Sequence, residues 1–152
     1  MTGKEKERDF MEIVSASISS PEVLRLFTEH DDFIINFLGD DSVYYTRYNE
    51  NEKIHTVWIA YCDEIPIGCA AYRKKSPGVG EVKRMFIKSE YRGRGISKSL
   101  LTTVEGHAKQ HGNHTLHLDT RITLEPAVAL YRRFGFVETL RNGLYVEMEK
   151  RL

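Results

Sequence analysis

The chain has 152 residues, 41% hydrophobic and 29% charged, and its 22 basic and 22 acidic side chains leave a formal net charge of zero. That size suits one domain over residues 1–152 with a real core, and a neutral chain has no overall field to recruit nucleic acid or a membrane surface. The start, MTGKEKERDF, lacks the apolar core of a signal peptide, and no later stretch is long enough to cross a bilayer, so a cytoplasmic protein is expected. Cys62 and Cys69 have no CxxC partner and no metal-ligand spacing, and read as reduced thiols.

Met11 to Ala16 reads as a short strand. Ser20-Pro21 opens a helix with Val23, Leu24, Phe27, Phe33, Ile34 and Phe37 at helical spacing, and Gly39 ends it. The stretch from Asp40 to Lys53 is polar but carries Tyr44, Tyr45 and Tyr48, and reads as a loop or irregular helix. HTVWIAY, the polar turn Asp63-Glu64 and IPIGCAAY predict an antiparallel hairpin. Val79 to Lys88 is the next strand, after a turn at Ser76-Pro77-Gly78. A helix follows with Ile96, Leu100, Leu101, Val104 and Ala108 on one stripe and Gly112 at its cap. His114 to Thr120 is a strand, Pro126 to Phe134 a short helix, and Phe136–Leu140 with Leu144–Glu149 a hairpin turning at Asn142-Gly143. Strand, helix, three strands, helix, strand, helix and two strands make an α+β domain: a mixed, mostly antiparallel sheet flanked by helices.

The segment VKRMFIKSEYRGRGISKSLL runs from strand into helix through Arg92-Gly93-Arg94-Gly95. Such a junction gathers backbone N–H groups, unshielded by side chains, at the positive end of a helix dipole, which suits a phosphate. Arg92 and Arg94 add charge for a second phosphate, so the pattern points to a diphosphate. The turn is neither a GxxxxGK[ST] loop nor a GxGxxG fingerprint.

In GEVKRMFIKSEYRGRGISKSLL, LHLDT and AVALYRRFGF, taken in that order, the chain resembles the GNAT superfamily of N-acetyltransferases from about Val57 to Met148. The family's pyrophosphate signature corresponds to Arg92, Gly93, Arg94, Gly95, Ile96 and Ser97, with Ser97 departing from the usual last residue. Glu125 stands where the family commonly has asparagine, and its carboxylate is ill suited to a phosphate-bearing ligand. The resemblance implies acetyl-CoA in a V-shaped split between the Val79–Lys88 and His114–Thr120 strands. Its pantetheine arm would pair with the backbone of Met85, Phe86 and Ile87. A bulge near Met85 would aim one N–H at the thioester oxygen.

The reaction class needs a group to take a proton from the incoming ammonium and one to return a proton to the thiolate. Glu81 matches the position of a catalytic glutamate in some family members. Its residue-level alternative is an exposed strand-end charge. Spacing alone places Tyr131 in the core; the match of LYRRFGF to the family's Leu-Tyr-x-x-x-Gly-Phe implies that it is the acid. His107, His111, His114 and His117 read as structural, with His117 on the opposite strand face from Leu116 and Leu118, and no metal is expected. Tyr44, Tyr45, Arg47, Tyr48, Arg84, Arg141 and Tyr145 are candidates for the acceptor pocket. Arg47 or Arg141 could clamp a carboxylate, and Arg84 either reaches the acceptor or pairs with an acid. The expectation is acetyl transfer from acetyl-CoA to a small-molecule primary amine in a ternary complex, by a monomer or homodimer. The alternatives are a peptide or lysine acetyltransferase and a non-catalytic acyl-CoA-binding module.

Overall fold

In the computed structural model, residues 11–39 and 53–152 are described. Strand β1 (Met11–Ala16) leads to helix α1 (Pro21–Leu38), whose first turn is capped by the Ser20 hydroxyl accepting from the Val23 N–H at 3.3 Å, with Pro at its start. Strands β2 (Ile54–Cys62) and β3 (Ile65–Ser76) form a hairpin. Asp63 and Glu64 at its tip both have positive φ, 47° and 73°, as a tight primed turn requires. Strand β4 (Val79–Ile87) and a single 3₁₀ turn, Ser89–Tyr91, lead into helix α2 (Ile96–Gln110). Strand β5 (Thr115–Arg121), helix α3 (Glu125–Arg133) and the hairpin β6 (Val137–Asn142) with β7 (Tyr145–Arg151) complete the order. The tyrosine-bearing stretch, with Tyr44, Tyr45, Arg47 and Tyr48, lies outside the described residues.

These seven strands form one sheet in the order β1-β2-β3-β4-β5-β7-β6, antiparallel throughout except between β4 and β5. Strand alternation gives each face its own core. On one face Val82, Leu116, Leu118, Val146 and Met148 pack against Ile96, Leu100, Leu101 and Val104 of α2 and Tyr131 of α3. On the other, Val57, Ile59, Cys69, Ala71 and Phe86 receive Val23, Leu26 and Phe27 of α1. Helix α1 contacts mainly β3 and β4, so the part of this face built from β5 and β7 carries polar residues: His117, Asp119 and Glu147.

Candidate active site

Strands β4 and β5 pair over only three residues, Val79–Thr115, Gly80–Leu116 and Glu81–His117, and then part. Beyond Glu81, the edge of β4 facing β5 therefore has backbone groups with no ladder partner among the described residues. Within that edge Cys69 pairs with Phe86 and Ala71 with Lys83, so Arg84 and Met85 together oppose Ala70. This is a β-bulge, and Arg84 in it has a φ of 55°.

At the end of the split the chain turns into α2. Gly93 and Gly95 both have φ 79°, and a Cβ on either would meet nothing within 4 Å, so conformation and not crowding selects glycine there. Arg92 and Arg94 are exposed. The Arg92 Nε–H donates to the Ile87 carbonyl at 3.0 Å and its guanidinium lies 4.7 Å over the Phe33 ring, while Arg94 rests 4.9 Å over Tyr91. The N-terminus of α2, with the two arginines beside it, makes a corner whose N–H groups and positive charge suit an anion.

A charged network occupies the vertex. Glu81 is 1% exposed, its Oε1 accepting from Arg73 Nε at 2.6 Å and its Oε2 lying 2.9 Å from His117 Nδ1. His117 Nε2 is 2.9 Å from Glu147 Oε1 and 3.7 Å from Asp119 Oδ1. Burial alone would raise the Glu81 carboxyl, but the His117 hydrogen bond, Lys83 and Arg73 outweigh it and hold the group at about 2. Burial alone would lower His117, yet its bonds to Glu81 and Glu147 leave its pKa raised. Burial raises the Asp119 carboxyl and lowers the Lys83 ammonium.

The linkage has a definite sign. Glu81 ionises more easily folded than unfolded, so its contribution is present above about pH 4.5 and fades as pH falls toward 2. His117 contributes in the opposite sense, with stability present below about pH 6.5 and lost as pH rises through its elevated folded pKa. Glu81→Gln is expected to lower the denaturant midpoint at pH 6, leaving Arg73 and His117 without their carboxylate at a cost of about 3 kcal/mol. Its stability is also expected to fall less steeply than the wild type's between pH 5 and 3. Equal slopes in urea titrations across that range would contradict the network.

Residues 23–136 match the model of the acetyltransferase (GNAT) family. The chain belongs to the GNAT acetyltransferase family. It is 38% identical over 80 residues to the IAA acetyltransferase of Azospirillum brasilense, covering 52% of each protein. It is 32% identical over 99 residues to human N-acetyltransferase 8, covering 62% of this chain and 44% of the human one. The chain thus spans about half the length of these two curated relatives. The PaiA N-acetyltransferase of Thermoplasma acidophilum, solved in complex with coenzyme A, superposes with a TM-score of 0.76 over 94% of this chain and 99% of that one at 20% identity, a likeness of fold. A GNAT family acetyltransferase from Elizabethkingia anophelis with acetyl-CoA bound gives 0.69 over 93% and 98% at 18% identity, again a likeness of fold.

Within this GNAT fold the residues expected for cofactor and catalysis fall into four groups. Met85, Phe86 and Ile87 lie on the open edge of β4, and Arg92 through Ser97 form the turn. Tyr131, on α3, is buried with its ring 6.0 Å from Phe136, in the same core cluster against which Met85 packs. Glu81 is not an exposed strand-end charge: it is buried, and both its oxygens are engaged. Asp119, the next residue along β5 on the same face, was not singled out by sequence, although it alternates with Leu118 as His117 does.

The acceptor candidates separate as well. Arg84 reaches to α1, where its Nη1 donates to Asp31 Oδ1 at 2.6 Å, the pairing with an acid that was one of its two readings. Arg141 forms a two-pronged pair with Glu138 at 2.7 and 3.1 Å on the outer hairpin. Tyr145 is half-buried on β7, with the Arg121 guanidinium 5.6 Å over its ring. Tyr44 and Arg47 lie outside the described residues.

His107 stacks 4.0 Å from His111 and packs against Trp58 and Tyr72, a structural cluster on the α2 face. Glu81, His117 and Asp119 offer ligand atoms within 4.8 Å of one another, a carboxylate pairing around His117 that linear spacing concealed. The bonds from Arg73 and His117 already occupy the Glu81 oxygens, and Lys83 and Arg73 bring positive charge, which suits internal ion pairing. No helix among the described residues is long and apolar enough to cross a membrane.

Proposed function

We propose that the chain is a single catalytic domain that transfers the acetyl group of acetyl-CoA to the primary amine of a small molecule, by direct attack in a ternary complex. One observation carries this reading: a split between β4 and β5 that ends at a double-glycine turn bearing two arginines. Acetyl-CoA supplies the activated acetyl group. The open edge of β4 at Met85, Phe86 and Ile87 suits an arm that pairs as an added strand. The amides of Gly93 to Ser97, with Arg92 and Arg94, suit its pyrophosphate. Two neighbours of this fold were solved with coenzyme A or acetyl-CoA bound, which supports the choice of ligand.

The bulge at Met85 is read as the source of the N–H that meets charge developing on the carbonyl oxygen. Tyr131, a member of the core cluster against which Met85 packs, returns a proton to the sulfur. For the proton leaving the amine the acceptor is Asp119, two residues along β5 past the last β4–β5 pair. Glu81, held by Arg73, acts on that group through His117, whose Nε2 lies 3.7 Å from Asp119 Oδ1. The acceptor enters from the face that α1 leaves partly uncovered, because α2 and α3 occupy the other. A cytoplasmic monomer or homodimer without a resident metal completes the reading.

Thiol release from acetyl-CoA, measured against a panel of small primary amines and of lysine and N-terminal peptides, tests it. Turnover with small amines is expected. Turnover with peptides alone would move the acceptor to proteins, and binding without turnover on either panel would leave an acyl-CoA-binding module.

A further inference from the structure

Arg84 combines two features that its sequence position does not announce. It sits in the left-handed region, φ 55°, at the bulge of β4, a conformation that residues with side chains rarely adopt. Its guanidinium, in a side chain only 5% exposed, also reaches across to α1. There Nη1 donates to Asp31 Oδ1 at 2.6 Å and lies 3.5 Å from both the Phe27 carbonyl and His30 Nδ1, with the guanidinium carbon 4.5 Å over the Phe27 ring.

The surroundings keep each partner in the required state. His30 is 5% exposed and stacks on Phe86, just past the bulge, with ring centroids 5.3 Å apart. Burial, then Arg84 and Lys83, hold its pKa down at about 3, so it is a neutral ring able to accept from the guanidinium. From β3 the Cys69 thiol donates to the Arg84 carbonyl at 3.3 Å. Burial pushes that thiol up to about 12, so it stays protonated as a donor. Val23, Leu26 and Phe27 of α1 meet the sheet through apolar, non-directional contacts; the Arg84 contact is directional.

We propose that Arg84 is a positioning residue: by tying the β4 bulge to α1 through Asp31, it fixes the backbone at Met85 in the orientation that meets the acetyl carbonyl. This rests on the acetyl-transfer reading above and adds to it a strut between the helix and the bulge. Loss of the guanidinium leaves the bulge free to relax, and a displacement of about an ångström is enough to lower a rate by up to about a hundredfold.

Three variants test it. Arg84→Gly keeps a residue at home at φ 55° and removes the guanidinium; Asp31→Ala removes the anchor from the helix side; Asp31→Asn keeps an oxygen acceptor. Affinities for CoA and acetyl-CoA are measured by titration calorimetry, turnover by thiol release and folding by thermal unfolding. Expected for Arg84→Gly and Asp31→Ala are CoA affinity within about twofold of wild type, a selective loss of acetyl-CoA affinity and kcat at least about tenfold lower. Asp31→Asn is expected to recover most of both. Folded Arg84→Gly with wild-type kcat and acetyl-CoA affinity would overturn the strut. Wild-type protein that binds both ligands but acetylates no amine would overturn the activity reading instead, and the affinity comparison would still read the strut.

Discussion

Gly95→Val is expected to weaken acetyl-CoA binding by about a hundredfold in calorimetric titration while leaving the unliganded fold intact. Two effects combine. A β-branched residue at φ 79° is strained by roughly 1–2 kcal/mol. Its side chain would also stand on the side where nothing now lies within 4 Å, between the incoming phosphate and the N–H groups of α2. Each hydrogen bond to a charged group so lost is worth about 1.5–3 kcal/mol, and a total near 3 kcal/mol is about a hundredfold in affinity. Arg92→Ala should cost less, about tenfold, because an exposed guanidinium is screened by water and already shares itself with Ile87 and Phe33. Unchanged affinity in folded Gly95→Val protein would remove the phosphate assignment from the turn.

Tyr131→Phe is expected to lower kcat by about a hundredfold, within the range for general acid–base groups, with acetyl-CoA affinity unchanged. The change deletes one oxygen and keeps the ring against Phe136 and its neighbours in the core, so stability should shift by about 1 kcal/mol at most. That separation matters because spacing along α3 alone makes Tyr131 an ordinary core residue. Wild-type turnover in the phenylalanine variant at every pH would return it to that role.

Where a pattern repeats locally, the sequence was a good guide to the structure. Ser20-Pro21 and Gly39 bounded α1, Asn142-Gly143 marked the last hairpin, and the stripe from Ile96 to Ala108 became the buried side of α2. The double-glycine turn was legible for the same reason: positive φ at Gly93 and Gly95 is a local demand. The vertex network was not. Glu81 lies 36 residues from His117 along the chain, and only the parallel register of β4 on β5 brings them within 2.9 Å. Arg84 was ambiguous because its partner, Asp31, belongs to a helix 53 residues earlier, and nothing in RMFI shows the bulge from which the side chain reaches α1. Linear spacing likewise missed Asp119, since its company on the sheet comes from His117 and from Glu147 on β7.

The central claim, that the split and its turn hold acetyl-CoA, is tested most directly by thermal unfolding with acetyl-CoA, CoA and ATP in turn. A ligand at about 100 times its dissociation constant adds roughly 2.7 kcal/mol to the folded state. A clear rise in melting temperature with both CoA forms and none with ATP is the predicted result, because ATP lacks the pantetheine arm proposed to pair with the open edge of β4. No rise with either CoA form would contradict the account.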